Sequence, residues 1–253
     1  MRNKNPNSAK KLQNSPTDGR WIWGRHPVQA ALANPKRKIL RLIFAEGSDH
    51  DLNLVPKPET LPKHEITELL PSEAVHQGFA LLAEPLPKVY LEDIISLTKS
   101  KTRATILVLD RITDPHNVGA IMRSASVFGA DAVIISDRHA PTLNGTLAKS
   151  SSGAIETIPL VRVTNLVRAI RSLQKQGFWC VGLDSDADTP LEEQKPAPHQ
   201  IIALGAEGPG LRRLTREACD TICKISSAGP ISSLNVSNAA AVALFSFNRL
   251  QKN

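Results

Sequence analysis

The sequence predicts an α/β fold, a mostly parallel sheet covered by helices on both faces and preceded by a smaller α/β domain. Three observations carry this. From residue 104 onward, apolar runs of strand length alternate with segments of helical period, as in a parallel sheet whose crossovers are helices. The proline-rich stretch Glu84-Pro-Leu-Pro87 separates that region from a shorter alternating one upstream. Two late apolar runs, Ile201–Leu204 and Thr221–Ile225, each open into a loop rich in Gly, Pro and Ser. Open α/β sheets bind ligands at such strand ends.

Residues 1–20 carry Arg2, Lys4, Lys10, Lys11 and Arg20 against Asp18 alone and show no hydrophobic period, so they read as a disordered basic tail. Order is expected from Trp21. Pro27 suits the first turn of a helix in which Val28, Ala31 and Leu32 share a face, and Asn34-Pro35 stops it. Ile39–Ala45 reads as a buried strand, a short helix lies near Glu65–Leu70, and His76-Gln-Gly78 turns into a strand ending at Leu82. These elements form a first domain over 21–86. Residues 87–103 form a linker with a connecting helix at Leu91–Ser100, and the second domain runs over 104–253.

That domain opens with Ala104–Asp110, an apolar run ending in an acid. Asp114-Pro115 signals a turn, and Asn117 is expected to cap a helix whose buried stripe is Val118, Ile121, Met122, Ala125 and Phe128 and which Gly129 ends. Ala132–Ile135 and Ile158–Val161 read as strands flanking a polar helix near Thr146–Ser152. Asn165–Gln176 is an amphipathic helix closed by Gly177, and Phe178–Leu183 is a strand. The strand Ile201–Leu204, helix Leu211–Ala218, strand Thr221–Ile225 and helix Asn235–Leu250 complete the alternation.

The charge balance, 31 Lys and Arg against 24 Asp and Glu, suits a polyanionic partner such as nucleic acid. The three cysteines, Cys180, Cys219 and Cys223, are too few and odd in number for a disulfide framework and point to a reducing compartment. Cys219 and Cys223 could share a helix face, but no neighbouring His completes a zinc set. No run approaches the ~20 apolar residues of a membrane span, and the N-terminus lacks the apolar core of a secretory signal. The expectation is a cytoplasmic protein with no membrane contact and no metal. There is no Walker phosphate loop, zinc-protease signature, Cys-x-x-Cys or nucleophile elbow, and Gly205-x-x-Gly208-x-Gly210 has the wrong spacing for a dinucleotide fingerprint. This argues against metal-dependent hydrolysis, acyl-enzyme chemistry and hydride transfer.

Three polar clusters remain at strand ends. Asn117 and Arg123 fall on one helix, where they read equally as a cap and a surface charge. Glu207 sits at the mouth of Gly205-Ala-Glu-Gly-Pro-Gly210, either beside a ligand drawn close to bare backbone or as the exposed acid of a plain turn. Ser232-Ser-Leu-Asn-Val-Ser237 offers hydroxyls and an amide at a helix start, where ligand binding and simple capping use the same groups.

Taken in order, Asp114-Pro-His-Asn-Val-Gly-Ala-Ile-Met-Arg-Ser-Ala125, then Leu204-Gly-Ala-Glu-Gly-Pro-Gly-Leu211, then Ile225 with Gly229 and Ser233-Leu-Asn-Val-Ser237, resemble the three motifs of the SpoU-type RNA ribose 2′-O-methyltransferases of the SPOUT superfamily. The resemblance covers about residues 104–250. Trp23-Gly-Arg-His26, Ala30-Ala-Leu32 and His76-Gln-Gly78 resemble the branch with an added N-terminal RNA-binding domain, whose members methylate a guanosine of large-subunit (23S) ribosomal RNA. The resemblance implies a C-terminal trefoil knot, a homodimer, and S-adenosylmethionine as cofactor, held at Gly205, Ile225 and Leu234. It places the polar active-site positions on Asn117, Arg123, Glu207, Ser233 and Asn235. The chain departs from the family at Ile225-Ser226-Ser227, where Ile-Pro-Met is usual, and at Pro230, which bears on the cofactor loop.

The implied chemistry suits these residue types. A ribose 2′-hydroxyl needs its proton removed and its phosphate held in place. A guanidinium stays protonated, so Arg123 is expected to clamp a phosphate and stabilise the forming alkoxide rather than to act as base. Ser233 and Asn235 would orient Arg123 or the ribose, and Glu207 would fix the loop or contact substrate. Two alternatives are methylation of transfer RNA, whose enzymes typically lack the front domain, and a non-catalytic RNA-binding factor, which would not need all five polar positions.

Overall fold

The computed structural model describes residues 20–48, 56–230 and 233–250. The expected basic tail lies outside the described residues except for Arg20, which starts the first strand. In the first domain, β1 (Arg20–Trp23), β2 (Ile39–Ala45), β3 (Glu59–Leu61) and β4 (Phe79–Ala83) form one sheet in the order β1-β4-β2-β3. β4 runs antiparallel to both neighbours, and β2 runs parallel to β3. Helix α1 (Arg25–Ala33) carries Pro27 in its first turn, where a missing N–H costs no intrahelical bond, and buries Val28 and Ala31. Helix α2 (Lys63–Leu69) buries Ile66.

Helix α3 (Leu91–Thr98) leads into the second domain and packs there through Ile94. Next come β5 (Ala104–Asp110), α4 (Pro115–Val127), β6 (Ala132–Ser136), α5 (Gly145–Ser150), β7 (Leu160–Val163) and α6 (Leu166–Gln174). The chain continues through β8 (Trp179–Leu183), β9 (Thr189–Pro190), β10 (His199–Gly205), α7 (Arg213–Ala218), β11 (Thr221–Lys224) and α8 (Val236–Leu250). The seven strands lie in the order β7-β6-β5-β10-β8-β11-β9, and each pairing is parallel. The strand order turns back between β5 and β10, so Asp110 and Gly205, the last residues of each, stand side by side in register. Such a switch point opens a crevice beyond the strand ends.

The period-2 alternation of strands divides the interior. Leu107, Leu109, Val133, Ile135, Ile202 and Leu204 face α4, α5 and α8, whereas Ile106, Val108, Ile134, Ile201 and Ala203 face α3, α6 and α7. Ile121 and Met122 on α4 are fully buried, each a gain of ~2 kcal/mol. The first of these cores runs on without a break into Ile22, Val28, Leu42, Phe44 and Leu81 of the first domain. Polar ties follow the same seam. Arg37 grips Glu156 with Nε at 3.1 Å and Nη2 at 2.5 Å, Asn34 donates to the same carboxylate at 2.9 Å, and Trp23 packs on Gly145, where a Cβ would overlap its ring.

Two expectations need correction. Asn117 is not the cap of α4. Asp114 is, its carboxylate accepting from the His116 N–H at 2.9 Å, with Pro115 as the first helical residue. Proline's fixed φ starts the helix three residues earlier than a cap at Asn117 would, which places Asn117 within the first turn and frees its side chain from capping. Cys219 and Cys223 do not share a helix face, since Cys219 follows α7 and Cys223 lies in β11. Cys219 Sγ instead stands 3.6 Å from Cys180 Sγ. That hydrogen bond and burial push the Cys180 thiol far up, out of reach of thiolate chemistry. Among the described residues, no helix is long and apolar enough to cross a membrane, and no three His, Cys, Asp or Glu cluster as metal ligands would.

Candidate active site

Three segments far apart in the chain meet at the C-terminal end of β5 and β10. Asn117 comes from the first turn of α4, Glu207 from the loop after β10, and Asn235 from the residue before α8. Asn235 Nδ2 donates to Glu207 Oε1 at 2.6 Å and to Asn117 Oδ1 at 3.0 Å, while Asn117 Nδ2 donates to Glu207 Oε1 at 3.3 Å. Asn235 Oδ1 accepts from the backbone N–H of Ser237 at 2.9 Å and from its hydroxyl at 2.6 Å. One amide thus caps α8 and ties the other two segments together, so capping and site-building are both its work. Asn117 is half-buried while Glu207 and Asn235 are exposed. The group lies at the surface, open to a substrate.

The loop is held in place from below. Asp110, fully buried at the end of β5, accepts from the Arg212 backbone N–H at 3.0 Å and from Arg212 Nε at 2.6 Å. Arg212 ends the glycine loop and starts α7, so this carboxylate fixes where the loop returns to the fold. Sequence reasoning missed the role; the only signal was an acid closing an apolar run, which reads as a strand terminator. Arg111 follows in left-handed backbone (φ 61°), an arrangement that costs a non-glycine residue of order 1–3 kcal/mol and that turns the chain from β5 toward α4.

Gly205 admits no side chain, because a Cβ would stand 2.1 Å from the Gly210 carbonyl carbon. The loop closes on itself through Gly210 N–H to Ala206 C=O at 2.9 Å. Gly208 and Gly210 have φ of 80° and 64°, and their missing side chains would project into open space. The loop therefore shows uncovered backbone, which lets a ligand be read by main-chain groups. Ile225 is half-buried against the core, and Leu234 is 50% exposed, leaving apolar surface on the segments that follow β11. Bare backbone with flanking aliphatic side chains fits a cofactor that has a flat aromatic base and an amino-acid end.

The remaining site residues stand apart. Arg123 lies on α4 six positions beyond Asn117, exposed, with no hydrogen bond or ion pair to the described residues. Ser233 is exposed and likewise unbonded, and its neighbour Ser232 lies outside the described residues. The structure therefore joins Asn117, Glu207 and Asn235 directly and ties neither Arg123 nor Ser233 to any of the described residues.

Comparison with known proteins matches both parts of the chain. Residues 104–245 match the SpoU rRNA Methylase family, and residues 21–89 match the family described as RNA 2′-O ribose methyltransferase substrate binding. The chain is 38% identical over 233 residues to the 23S rRNA (guanosine-2′-O-)-methyltransferase RlmB of Escherichia coli K12, a match covering 88% of this chain and 96% of that protein. It is 39% identical over 243 residues to the protein of the same name from Pseudomonas aeruginosa, covering 90% and 95%. In fold it is similar to the SpoU methyltransferase AviRb of Streptomyces viridochromogenes, solved in complex with AdoMet, with a TM-score of 0.76 and 23% identity over 92% of this chain and 90% of that one.

Proposed function

The chain belongs to the SpoU rRNA methylase family, and from that premise we propose that it methylates the ribose 2′-hydroxyl of a guanosine in 23S ribosomal RNA, with S-adenosylmethionine as cofactor. The observation that carries the reading is the meeting of Asn117, Glu207 and Asn235, one from each motif, beside a glycine loop with open backbone. The likeness to 23S rRNA enzymes along almost their whole length, front domain included, supports the substrate.

When bound, S-adenosylmethionine supplies an already activated sulfonium methyl. The chain's residues do the rest. Gly205, Ile225 and Leu234 would hold the cofactor, through backbone and aliphatic surface. Asn235 and Asn117 fix the Glu207 carboxylate at one oxygen, leaving the other for the loop or the nucleotide. Arg123, bonded to none of the described residues, takes the RNA phosphate and offsets the charge that grows on the 2′-oxygen as its proton leaves. Ser233 orients the ribose or the guanidinium.

The same reading includes the domain plan, with its first boundary moved by one residue because Arg20 belongs to β1: a basic tail over 1–19, an RNA-binding domain over 20–86, a linker over 87–103 and a methyltransferase domain over 104–253. It also includes a trefoil knot in the C-terminal segments, work in the cytoplasm where ribosomes assemble, no metal, and a homodimer. The face shared by α4 and α8 supports the dimer, because Val127 (72%), Phe245 (52%) and Val242 (37%) are exposed there, with Phe128 edge-on to Phe245.

The direct test incubates the protein with methyl-labelled cofactor and large-subunit ribosomal RNA, then digests the RNA to nucleosides. Label in 2′-O-methylguanosine is expected. Label confined to transfer RNA would move the substrate, and cofactor that does not bind at all would favour a non-catalytic RNA-binding factor.

A further inference from the structure

At the seam between the domains, two unusual backbone turns meet at one cation. Lys149, near the end of α5, donates from Nζ to Gln77 Oε1 at 2.8 Å. Gln77 holds left-handed backbone (φ 55°) and is followed by Gly78 at φ 84°. For a non-glycine residue this is costly, yet it is the conformation that presents the amide. Gly24, at φ 93°, makes room on the other side, since a Cβ there would stand 2.6 Å from Lys149 Nζ. Lys149 is half-buried as a residue, and the partial desolvation of its ammonium holds it below the ordinary lysine range. A cation fixed at such a seam is commonly matched by a carboxylate. The same seam gives Arg37 one in Glu156, but Lys149 meets a neutral amide, and among the described residues no carboxylate pairs with it.

Its surroundings point the same way. Arg25 and His26, which follow Gly24 in the first turn of α1, are exposed, with the Arg25 guanidinium 5.9 Å from the centre of the Phe79 ring. Ser150, the next residue after Lys149, donates to the carbonyl of Pro115 at 3.0 Å. Pro115 begins α4, the helix that carries Asn117 and Arg123. Lys149 therefore sits where the first domain, through Gln77 and Gly24, meets the helix of the candidate active site.

We propose that Lys149, aimed by Gln77 and flanked by Arg25 and His26, binds a backbone phosphate of the RNA substrate at the junction of the two domains, close to the target ribose. The inference rests on the reading of the chain as an RNA ribose methyltransferase and deepens it by placing the RNA path across the seam. A phosphodiester supplies the counter-charge that none of the described residues gives, and lysine is a point-charge partner for it. A glutamate at position 77 would tie the domains at least as well. The amide instead orients the ammonium without neutralising it.

That contrast gives the test. Gln77→Glu and Lys149→Met are compared with the unaltered chain for binding to a large-subunit ribosomal RNA fragment over a series of salt concentrations, with melting temperature and methyl transfer measured alongside. Gln77→Glu is expected to keep or raise the melting temperature, weaken RNA binding about tenfold, and flatten the logarithmic salt dependence by about one phosphate contact. Lys149→Met is expected to show the same loss and the same flattening. If both variants bind with unaltered affinity and salt slope, Lys149 is only a tie between domains and the inference is overturned. If the unaltered chain binds RNA through Lys149 but transfers no methyl, the inference stands and the methyltransferase reading falls.

Discussion

Arg37, at the seam between the domains, is gripped by Glu156 through two nitrogens at 3.1 and 2.5 Å, and the two side chains are only 6% and 1% exposed. Arg123, on α4, is exposed and bonded to none of the described residues. Water accounts for the contrast. A guanidinium sealed in the fold must be paired, because the effective cost of desolvating an ion is several kcal/mol. One left in water can stay free, and only a free one can meet a phosphate. Two pairs lie between these extremes: Arg212 with buried Asp110, and Arg41 with Glu59, whose side chains are 38% and 44% exposed. The series implies that the energetic weight of a charge falls with exposure while its availability to RNA rises.

Removing partners along the series sharpens or breaks that relation. Glu156→Ala leaves Arg37 buried and uncompensated and takes an acceptor from Asn34, so it should cost about 3–5 kcal/mol in denaturant unfolding. A loss under 1 kcal/mol would mean that the seam opens easily to water. Asp110→Asn keeps the shape but removes the charge that holds Arg212, whose side chain is 40% exposed and can turn to solvent. About 1–3 kcal/mol is expected, with weaker cofactor binding by calorimetry as the glycine loop loosens. Unaltered cofactor affinity would remove Asp110 from the account. Glu59→Gln should cost about 0–1 kcal/mol, as exposed pairs do. The Arg41 hydrogen bond holds the Glu59 carboxyl below its ordinary range. Its small contribution is therefore present above the ordinary glutamate pKa and fades as pH falls through the lowered folded value. A pH series comparing Glu59→Gln with the parent should show the difference vanish in acid. A difference that grew in acid would reverse the sign of the argument.

Much of the fold was legible because parallel strands buried on both faces read as unbroken apolar runs. Ala104–Asp110 is the same stretch in sequence and structure. Arg20–Trp23, Glu59–Leu61 and Thr189–Pro190 gave no such signal, being two to four residues long and only partly apolar. At the site, the polar positions could be named from their motifs but not their bonds. Asn117 and Asn235 meet across 118 positions, and Asp110 finds Arg212 across 102. Local pattern also misplaced the cap of α4, because Asp114 and Asn117 both suit that role and only Pro115 decides between them. Nothing in the sequence foretold that the two domains would share one core, since that depends on which faces of α1, α4 and α5 meet.

The most direct test of the central claim is the methyl-transfer rate of Arg123→Ala on ribosomal RNA, with cofactor affinity and melting temperature measured on the same sample. If the unpaired guanidinium stabilises the forming alkoxide, turnover should fall about 100-fold to 1,000-fold while cofactor affinity and melting temperature stay as in the parent. Turnover equal to the parent's, with RNA and cofactor both bound, would contradict it.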